Sequence, residues 1–177
     1  MSAFVVIVHF DGTHVGPELS LRLSRLIAYR GPDASGVMRF PGCTMTHNAM
    51  HVSRLCANEV QPLASEDKGV VVVCDARIDQ RNRLMGDLRQ AGQDVGKVAP
   101  SSNLLLAAYR VWGEKLLDRI AGDFAFVIVD RKRKRLLAAR DPFGMRGLFC
   151  GTFSNGLILS NDPLPAMALP GVDLKLD

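Results

Sequence analysis

The sequence predicts an α+β fold with largely antiparallel sheets. Segments with the pattern of β-strands occur in bunches and the helical segments form a separate block, without the regular strand–helix alternation of parallel sheets. The 177 residues are 47% hydrophobic and 23% charged. The chain can therefore bury a core as one domain, and it lacks the composition of a disordered protein.

The first part of the chain predicts a strand, a helix and two further strands. Residues 3–10, AFVVIVHF, are apolar and β-branched, as a buried strand requires. Leucines at helical spacing indicate a helix over 17–27, which begins at a proline. Strands over 36–40 and 43–48 follow, separated by a Pro-Gly turn.

The remaining part predicts two more helices and several strands. Apolar periodicity indicates a helix over 84–91 and another that ends before Gly113, with Ser101 or Ser102 as its N-cap. Strands are predicted at 70–74, 124–130, 136–140, 148–153 and 157–160. The last two are joined through Asn-Gly, a strong hairpin signal.

A proline-rich segment closes the chain. Residues 163–177, PLPAMALPGVDLKLD, have the composition of a linker. The sequence therefore predicts a domain over residues 1–162 and the start of a linker over 163–177.

Charge and cysteine content indicate a cytoplasmic protein. No apolar stretch reaches the ~20 residues of a membrane helix, and the first residues lack the basic region of a signal peptide. The cysteines contain no C-x-x-C pair, which favours free thiols. The net charge of +4 comes largely from the run RKRKR at 131–135. Between two apolar strands this run fits a solvated hairpin tip, so nucleic acid is not an expected partner.

Two apparent motifs are better explained without a ligand. His47 and His51 have the spacing of metal ligands, but an asparagine replaces the usual glutamate of such a helix and no third ligand is evident. We expect polar histidines and no metal. GPDASG at 31–36 has the glycines of a phosphate loop, but Val37 and Met38 replace its lysine and hydroxyl residue.

Ser2 is a candidate nucleophile. It follows the initiator methionine, and removal of Met1 would give it a free α-amine, whose pKa of ~8 allows it to act as a base. Every protein that begins Met-Ser shares this feature, so the residue carries meaning only together with other motifs.

Several segments together resemble the N-terminal glutaminase domain of asparagine synthetases and their relatives. The short motifs are RGPD at 30–33, SRL at 53–55, QPL at 61–63 and YRVWG at 109–113. The longest similar run is RIAGDFAFVIVD…LLAARDPFGMRGLF, residues 119–149. Their order and spacing span almost the entire chain, so the sequence is identified as a member of this family.

The resemblance implies an αββα sandwich, in which two mainly antiparallel sheets lie between helical layers, as in N-terminal-nucleophile hydrolases. In active members an N-terminal cysteine is the nucleophile and an Asn-Gly pair supplies the oxyanion hole. An arginine fixes the glutamine carboxylate and an aspartate early in a later helix binds the glutamine amine. The released ammonia travels to a second domain, which activates a carboxylate as its adenylate.

Most of this machinery is missing at the matching positions. Ser2 stands at the position of the cysteine, Asp75 and Ala76 replace Asn-Gly, and Asn103 replaces the amine-binding aspartate. Arg54 alone is retained. The resemblance thus implies vestigial substrate-binding positions at Arg54, Asp75, Ala76 and Asn103.

The change at the oxyanion hole indicates a loss of glutaminase activity. Removing one oxyanion donor costs ~3–4 kcal/mol of transition-state stabilisation, and an ionised Asp75 would repel the developing charge. Serine is also a poorer nucleophile than cysteine. The surrounding acids and arginines are interpreted as a mutually neutralising loop; they are Asp75, Arg77, Asp79, Arg81 and Arg83.

The pattern Asp-Ala-Arg-Ile-Asp resembles one branch of the family, the lasso-peptide cyclases, or macrolactam synthetases. This resemblance implies a ligase that adenylates a side-chain carboxylate of a precursor peptide. The N-terminal amine of the same peptide then attacks the adenylate. β-Lactam synthetases share this logic. No Ser-Gly-Gly-x-Asp-Ser pyrophosphate loop occurs in the 177 residues, so we expect no cofactor in this domain and ATP with Mg in a C-terminal synthetase domain beyond it. The expected partners are that domain, a precursor peptide and its protease.

Other functions remain open from sequence. The domain could be a glutamine-hydrolysing amidotransferase, or a hydrolase with Ser2 as its nucleophile. It could also be a peptide-binding or partner-binding domain that uses the basic hairpin around Arg133.

Overall fold

The computed structural model describes residues 1–53, 56–57 and 59–173. Its strands are β1 (Ala3–His9), β2 (Ala34–Phe40), β3 (Cys43–Ala49), β4 (Leu63–Ala64), β5 (Val70–Ile78), β6 (Gly122–Asp130), β7 (Arg135–Arg140), β8 (Phe149–Phe153) and β9 (Gly156–Ser160). Its α-helices are α1 (Pro17–Leu26), α2 (Arg81–Gln90), α3 (Ser101–Trp112) and α4 (Pro163–Ala168), and a 3-10 helix spans Gly113–Asp118.

The strands form two antiparallel sheets. The five-stranded sheet has the order β2-β3-β1-β9-β8, and the four-stranded sheet has the order β4-β5-β6-β7. Strand β1, the most apolar segment of the chain, therefore lies in the centre of the larger sheet, where both edges are paired. The predicted hairpins β6–β7 and β8–β9 are confirmed.

Three apolar layers hold the sheets and helices together. Phe4 and Val6 on β1 pack against Val71 and Val73 on β5, which joins the inner faces of the two sheets. The outer face of the four-stranded sheet packs on α2 and α3, and the outer face of the other sheet packs on α1 and α4. The predicted α+β sandwich with four layers, αββα, is confirmed.

The prediction of a mutually neutralising loop after β5 is wrong. The strand continues to Ile78, and its pairing with β6 runs without interruption from Val70↔Asp130 to Ile78↔Gly122. Asp75 therefore lies within a strand and faces the protein interior, where it is 7% exposed. Arg77 pairs instead with Asp79 and Asp123 at 3.4 and 3.1 Å, whereas Arg81 and Arg83 belong to helix α2.

The segment expected to begin a linker is folded as far as it is described. Asp162 accepts a hydrogen bond from the Leu164 N–H at 3.0 Å and caps helix α4, and Pro163 occupies the first helical turn. Ala166 is 1% exposed because it packs on the five-stranded sheet. Proline thus starts a helix here, so the folded domain extends past residue 162; residues 174–177 lie outside the described part.

Two further expectations from the sequence concern membrane helices and the cysteines. No helix among the described residues is long and apolar enough to cross a membrane. All four cysteines, Cys43, Cys56, Cys74 and Cys150, are free thiols.

Candidate functional site

Ser2 lies immediately before β1, beside the end of β3. Its Oγ accepts a hydrogen bond from the Met50 N–H at 3.0 Å, and its carbonyl oxygen accepts one from Asn161 Nδ2 at 2.9 Å. These bonds fix the serine at the edge of a small cleft between the two sheets. In the bond with Met50 the hydroxyl oxygen is the acceptor, so the hydroxyl keeps its own proton for donation.

The cleft has a volume of about 30 Å³, which is the space of one or two water molecules. Ligand sites for small organic molecules usually start near ~300 Å³, so the cleft is smaller than such sites. The lining residues are Ser2, His47, Ala49, Met50, His51, Cys56, Glu59, Gln61, Cys74, Asp75 and Ala76.

Asp75 places a buried carboxylate in this cleft. Its Oδ2 lies 3.8 Å from Arg30 Nη2, 3.4 Å from Arg146 Nη1 and 3.5 Å from Asn161 Nδ2. Burial raises the pKa of Asp75, and the opposing effects come from the two arginines and from a hydrogen bond with the Ser2 backbone. A side chain that accepts hydrogen bonds therefore stands next to the serine, where an oxyanion hole needs donors.

The arginines that face Asp75 belong to a larger buried network. Arg30 also lies 3.5 Å from Asp162 Oδ2 and donates to the Asn161 carbonyl oxygen at 2.6 Å. Asp162 accepts a further bond from the Tyr29 hydroxyl, which raises the pKa of Tyr29. Two carboxylates and two guanidinium groups thus neutralise one another beside the cleft.

Ala76 has the regular conformation of a strand. It pairs with Phe124 in the β5–β6 ladder, and it is not among the described residues with positive φ. The backbone at this position therefore takes part in the pairing of β5 with β6. The structure brings Ser2, Asp75 and Ala76 together at one cleft.

Two of the implied positions are not seen in the cleft. Arg54 lies outside the described residues. Asn103 is exposed on α3 and does not line the cleft. The carboxylate near the start of this helix comes instead from Glu59, which accepts bonds from the N–H and Oγ of Ser102 at 3.0 and 2.5 Å.

Helix α3 is therefore capped differently from the prediction. Its N-cap is Pro100 and neither Ser101 nor Ser102, and no side chain of the cap residue bonds the helix. Glu59, a long-range partner, accepts one N–H of the first helical turn, that of Ser102, and places a negative charge at the positive end of the helix dipole. Sequence spacing carries no signal for such a contact.

His47 and His51 both line the cleft. His47 lies on β3 and is 3% exposed; burial lowers its pKa from 6.5 to about 4, opposed by a hydrogen bond with the Cys74 backbone. The Nε2 atoms of both histidines have no hydrogen-bond partner within the described part of the chain. Across the same residues, no group of three His, Cys, Asp or Glu side chains is placed to hold a metal ion.

The glycines of GPDASG have a packing role. A Cβ on Gly31 would come within 2.0 Å of the Asn48 carbonyl oxygen, and a Cβ on Gly36 equally close to that of Gln61. Asp33 of the same segment accepts a bond from the His51 N–H at 2.6 Å. The segment thus allows close approach of the backbone and positions one wall of the cleft.

The basic run at the tip of the β6–β7 hairpin is largely paired. Lys132 lies 2.6 Å from Asp67, Arg133 lies 3.1 Å from Asp130, and Arg135 lies 3.3 Å from Glu114. The guanidinium of Arg131 stacks on Phe40 at 4.8 Å. These contacts reduce the positive field that the sequence suggests.

A wider apolar depression of about 560 Å³ borders the buried network. It is lined by Met1, Tyr29, Arg30, Met50, Gly147, Phe149, Asn161 and Pro163. Next to it along the chain, the β7–β8 loop exposes 90% of Phe143 and 63% of Met145. The Asp141 carboxylate fixes this loop through bonds from the N–H groups of Phe143, Met145 and Arg146 at 3.1, 2.9 and 3.0 Å.

The fold and the position of this site define a class of protein. The whole chain, residues 1–177, matches the family of glutamine amidotransferase domains, and it belongs to this family. Within the family it is an asparagine synthetase-like domain. A probable asparagine synthetase [glutamine-hydrolyzing] of Dictyostelium discoideum is 30% identical over 148 residues, which are 84% of this chain and 26% of the relative. Asparagine synthetase [glutamine-hydrolyzing] 2 of Oryza sativa subsp. japonica is also 30% identical, over 84% of this chain and 24% of its own.

Solved structures agree on the fold. Glutamine phosphoribosylpyrophosphate amidotransferase of B. subtilis, complexed with ADP and GMP, superposes with a TM-score of 0.77 at 15% identity. The match covers 99% of this chain and 44% of the amidotransferase chain. A structure described as the allosteric regulatory enzyme of purine biosynthesis gives a TM-score of 0.76 at 14% identity. The chain spans about a quarter of the length of the curated relatives.

Proposed function

We propose that this domain does not hydrolyse glutamine and that it supports an ATP-dependent, amide-forming ligase. The observation that carries the proposal is the buried Asp75 carboxylate beside Ser2. Hydrolysis of an amide passes through a tetrahedral intermediate with a negative oxygen, which requires hydrogen-bond donors. Asp75 supplies a hydrogen-bond acceptor beside Ser2. Its partners, Arg30 and Arg146, already form ion pairs with the Asp75 carboxylate.

The energetic cost of these changes is large. Loss of one oxyanion donor lowers the rate by ~10²–10³-fold. Serine is a weaker nucleophile than cysteine, and the cleft of about 30 Å³ is small for a glutamine side chain. All three effects act in the same direction.

The ligase that we propose is a lasso-peptide cyclase of the asparagine synthetase kind. Its synthetase domain, which would bind ATP and Mg, adenylates a side-chain carboxylate of a precursor peptide, and the N-terminal amine of that peptide closes the macrolactam. Because the peptide brings its own amine, such an enzyme needs no ammonia from glutamine. The pattern Asp-Ala-Arg-Ile-Asp at 75–79 and the small cleft support this branch.

The partner of this domain is then the synthetase domain of the same protein, in the cytoplasm. The exposed Phe143 and Met145 support this role, because large exposed apolar side chains mark interaction surfaces. The loop that carries them is held rigid by Asp141, so little conformational entropy is lost on docking.

Incubation of the chain with glutamine tests the first part of the proposal. We expect glutamate release at the level of buffer alone, measured after mass spectrometry has shown whether Met1 is removed. An active asparagine synthetase serves as the positive control of the assay. Release well above background from chains that begin with Ser2 would contradict the proposal and favour a serine hydrolase.

A second measurement tests the ligase. Pyrophosphate–ATP exchange by the longer protein should depend on a peptide with a side-chain carboxylate. Exchange that depends on free aspartate, together with conversion of glutamine to glutamate, would instead assign a glutamine-hydrolysing asparagine synthetase.

A further inference from the structure

A second cavity, here called the α2 cavity, is bounded by helix α2 and by the 3-10 helix that follows α3. Its volume is about 400 Å³, which falls in the range of ~300–1,000 Å³ that small-molecule sites usually have. Among the described residues, none lines both this cavity and the cleft beside Ser2. The α2 cavity is therefore a separate candidate site.

Both walls of the α2 cavity carry charges of both signs. Helix α2 contributes Arg83 and Asp87, which are four positions apart and so lie on one face of the helix. The 3-10 helix contributes Lys115 and Asp118, which are separated by one turn of such a helix, and Arg119 follows directly. A ligand with only one sign of charge would meet like charges on both walls.

Most of these charged groups are not neutralised by a neighbour. Five of them form no ion pair within the described part of the chain; they are Arg83, Asp87, Lys115, Asp118 and Arg119. Arg83 donates to Gln80 Oε1 at 3.3 Å, and the Arg119 guanidinium lies over the Trp112 ring at 4.7 Å. Cations and carboxylates around the cavity can therefore both form ion pairs with a ligand.

Apolar side chains complete the lining of the α2 cavity. Leu84 is 3% exposed and belongs to the core between the helices and the four-stranded sheet. Trp112 and Ile120 also line the cavity and pack against the same core. An apolar group of a ligand would be favoured here, because contact with these side chains removes its surface from water.

From this combination we infer that the α2 cavity binds a free α-amino acid with an apolar side chain. The α-ammonium group of such a ligand donates hydrogen bonds to the aspartates, and its α-carboxylate accepts them from arginine and lysine. The ligand's side chain contacts Leu84, Trp112 and Ile120. Because the two charges of the ligand cancel, neither wall repels it as a whole.

Other classes of small ligand fit the α2 cavity less well. Phosphate compounds carry several negative charges, which Asp87 and Asp118 would repel. Polyamines would be repelled by the three cations in the same way. A metal ion lacks its ligands, since the described residues offer no group of three suitable side chains. A purely apolar molecule would remove charged groups from water without pairing them.

Binding of an amino acid here goes beyond the proposed function and does not depend on it. The proposed function concerns the release of glutamate from glutamine beside Ser2, whereas this site would bind an amino acid without changing it. Failure of either experiment therefore leaves the other result unchanged.

Nuclear magnetic resonance of the ¹⁵N-labelled chain tests the α2 cavity with L-leucine as the probe. The chain has one tryptophan, so a single indole N–H signal, that of Trp112, reports on the cavity. Leucine should shift this signal saturably, together with the amide signals of Arg83 and Lys115. N-acetylleucine lacks the ammonium group and leucinamide lacks the carboxylate, so each should bind about tenfold or more weakly than leucine.

Substitutions of exposed residues complete the test without disturbing the core. Arg83→Gln and Asp118→Asn should each weaken leucine binding by about tenfold or more. The matched controls, Arg89→Gln and Asp94→Asn, change an exposed ion pair that does not line the cavity and should leave binding unchanged.

Three results would overturn the inference. The first is the absence of a saturable leucine shift at Trp112 in the native chain. The second is binding of N-acetylleucine or leucinamide as tight as that of leucine, which would show apolar contact alone. The third is an unchanged leucine affinity in both Arg83→Gln and Asp118→Asn.

Discussion

Asp75 determines the chemistry of the site at the scale of single residues. Its type and its place after four valines can be read from sequence. Its partners cannot, because Arg146 is 71 positions away and Arg30 follows a different helix. Sequence reasoning paired Asp75 with its neighbours, although the folded strand buries the carboxylate beside Arg30 and Arg146.

Truncation of Asp75 should be strongly destabilising. Asp75→Ala leaves the guanidinium groups of Arg30 and Arg146, whose side chains are 15% and 17% exposed, without this carboxylate. Removing one partner of a buried ion pair costs about 3–5 kcal/mol. Denaturant unfolding should show this loss, with a smaller one for Asp75→Asn.

Asp79→Ala is the matched control for that experiment. The Asp79 side chain is 46% exposed and pairs with Arg77 at the surface, so its removal should change the free energy of unfolding by less than ~1 kcal/mol. Equal losses for Asp75→Ala and Asp79→Ala would contradict a buried network.

His47 should make stability depend on pH in the acid range. Its pKa falls from 6.5 to about 4 in the folded protein, so the unfolded chain binds more protons between these values. Stability therefore decreases as pH is lowered from 6.5 to about 4, by roughly 3 kcal/mol for this group. The raised pKa of Asp75 acts in the opposite direction.

The contribution of His47 is isolated by comparison with a variant. Unfolding of His47→Phe across the same pH range should show a flatter dependence than unfolding of the native chain. Parallel curves for the two proteins would refute the low pKa of His47.

At the scale of elements, sequence patterns predicted most strands and helices because each has its own apolar periodicity. Strand β4 has only two residues and carries no such pattern. The far end of β5 was missed because charged residues replace valines there, while pairing with β6 continues the strand. Helix α4 was missed because Pro163 and Pro165 suggested a linker, although proline is well tolerated in the first turn.

The β7–β8 loop should depend on Asp141. Its buried carboxylate accepts bonds from three backbone N–H groups. Burial opposes its ionisation, but these bonds prevail and lower the pKa of Asp141. Its stabilising contribution is therefore complete above the ordinary value of 3.8 and is lost as pH falls through the lower folded value.

Asp141→Asn should lower the free energy of unfolding by about 1.5–3 kcal/mol, because a charged acceptor is replaced by a neutral one with a single oxygen. Amide hydrogen exchange should accelerate at Met145 and Arg146. The control Asp118→Asn changes an exposed carboxylate and should do neither. Unchanged exchange in the loop would show that Asp141 does not hold it.

At the scale of the whole molecule, the family motifs and the bunched strands together predicted the αββα sandwich. The motifs also placed Ser2, Asp75 and Ala76 at one site. The small size of the cleft could not be foreseen, because the cleft arises where β1, β3 and β5 bring Ser2, His47 and Asp75 together from distant parts of the chain. The exposure of Phe143 and Met145 likewise depends on the fold and is not given by the sequence pattern.

Glutamate release by the Ser2→Cys variant tests the central claim most directly. This change supplies the nucleophile of active relatives and leaves the Asp75 carboxylate in place, so mass spectrometry must first show that the chain begins with the new cysteine. If Asp75 and the small cleft abolish the reaction, glutamate formation stays at background. Sustained release well above background would contradict the account, because the lost nucleophile alone would then explain the inactivity of the native domain.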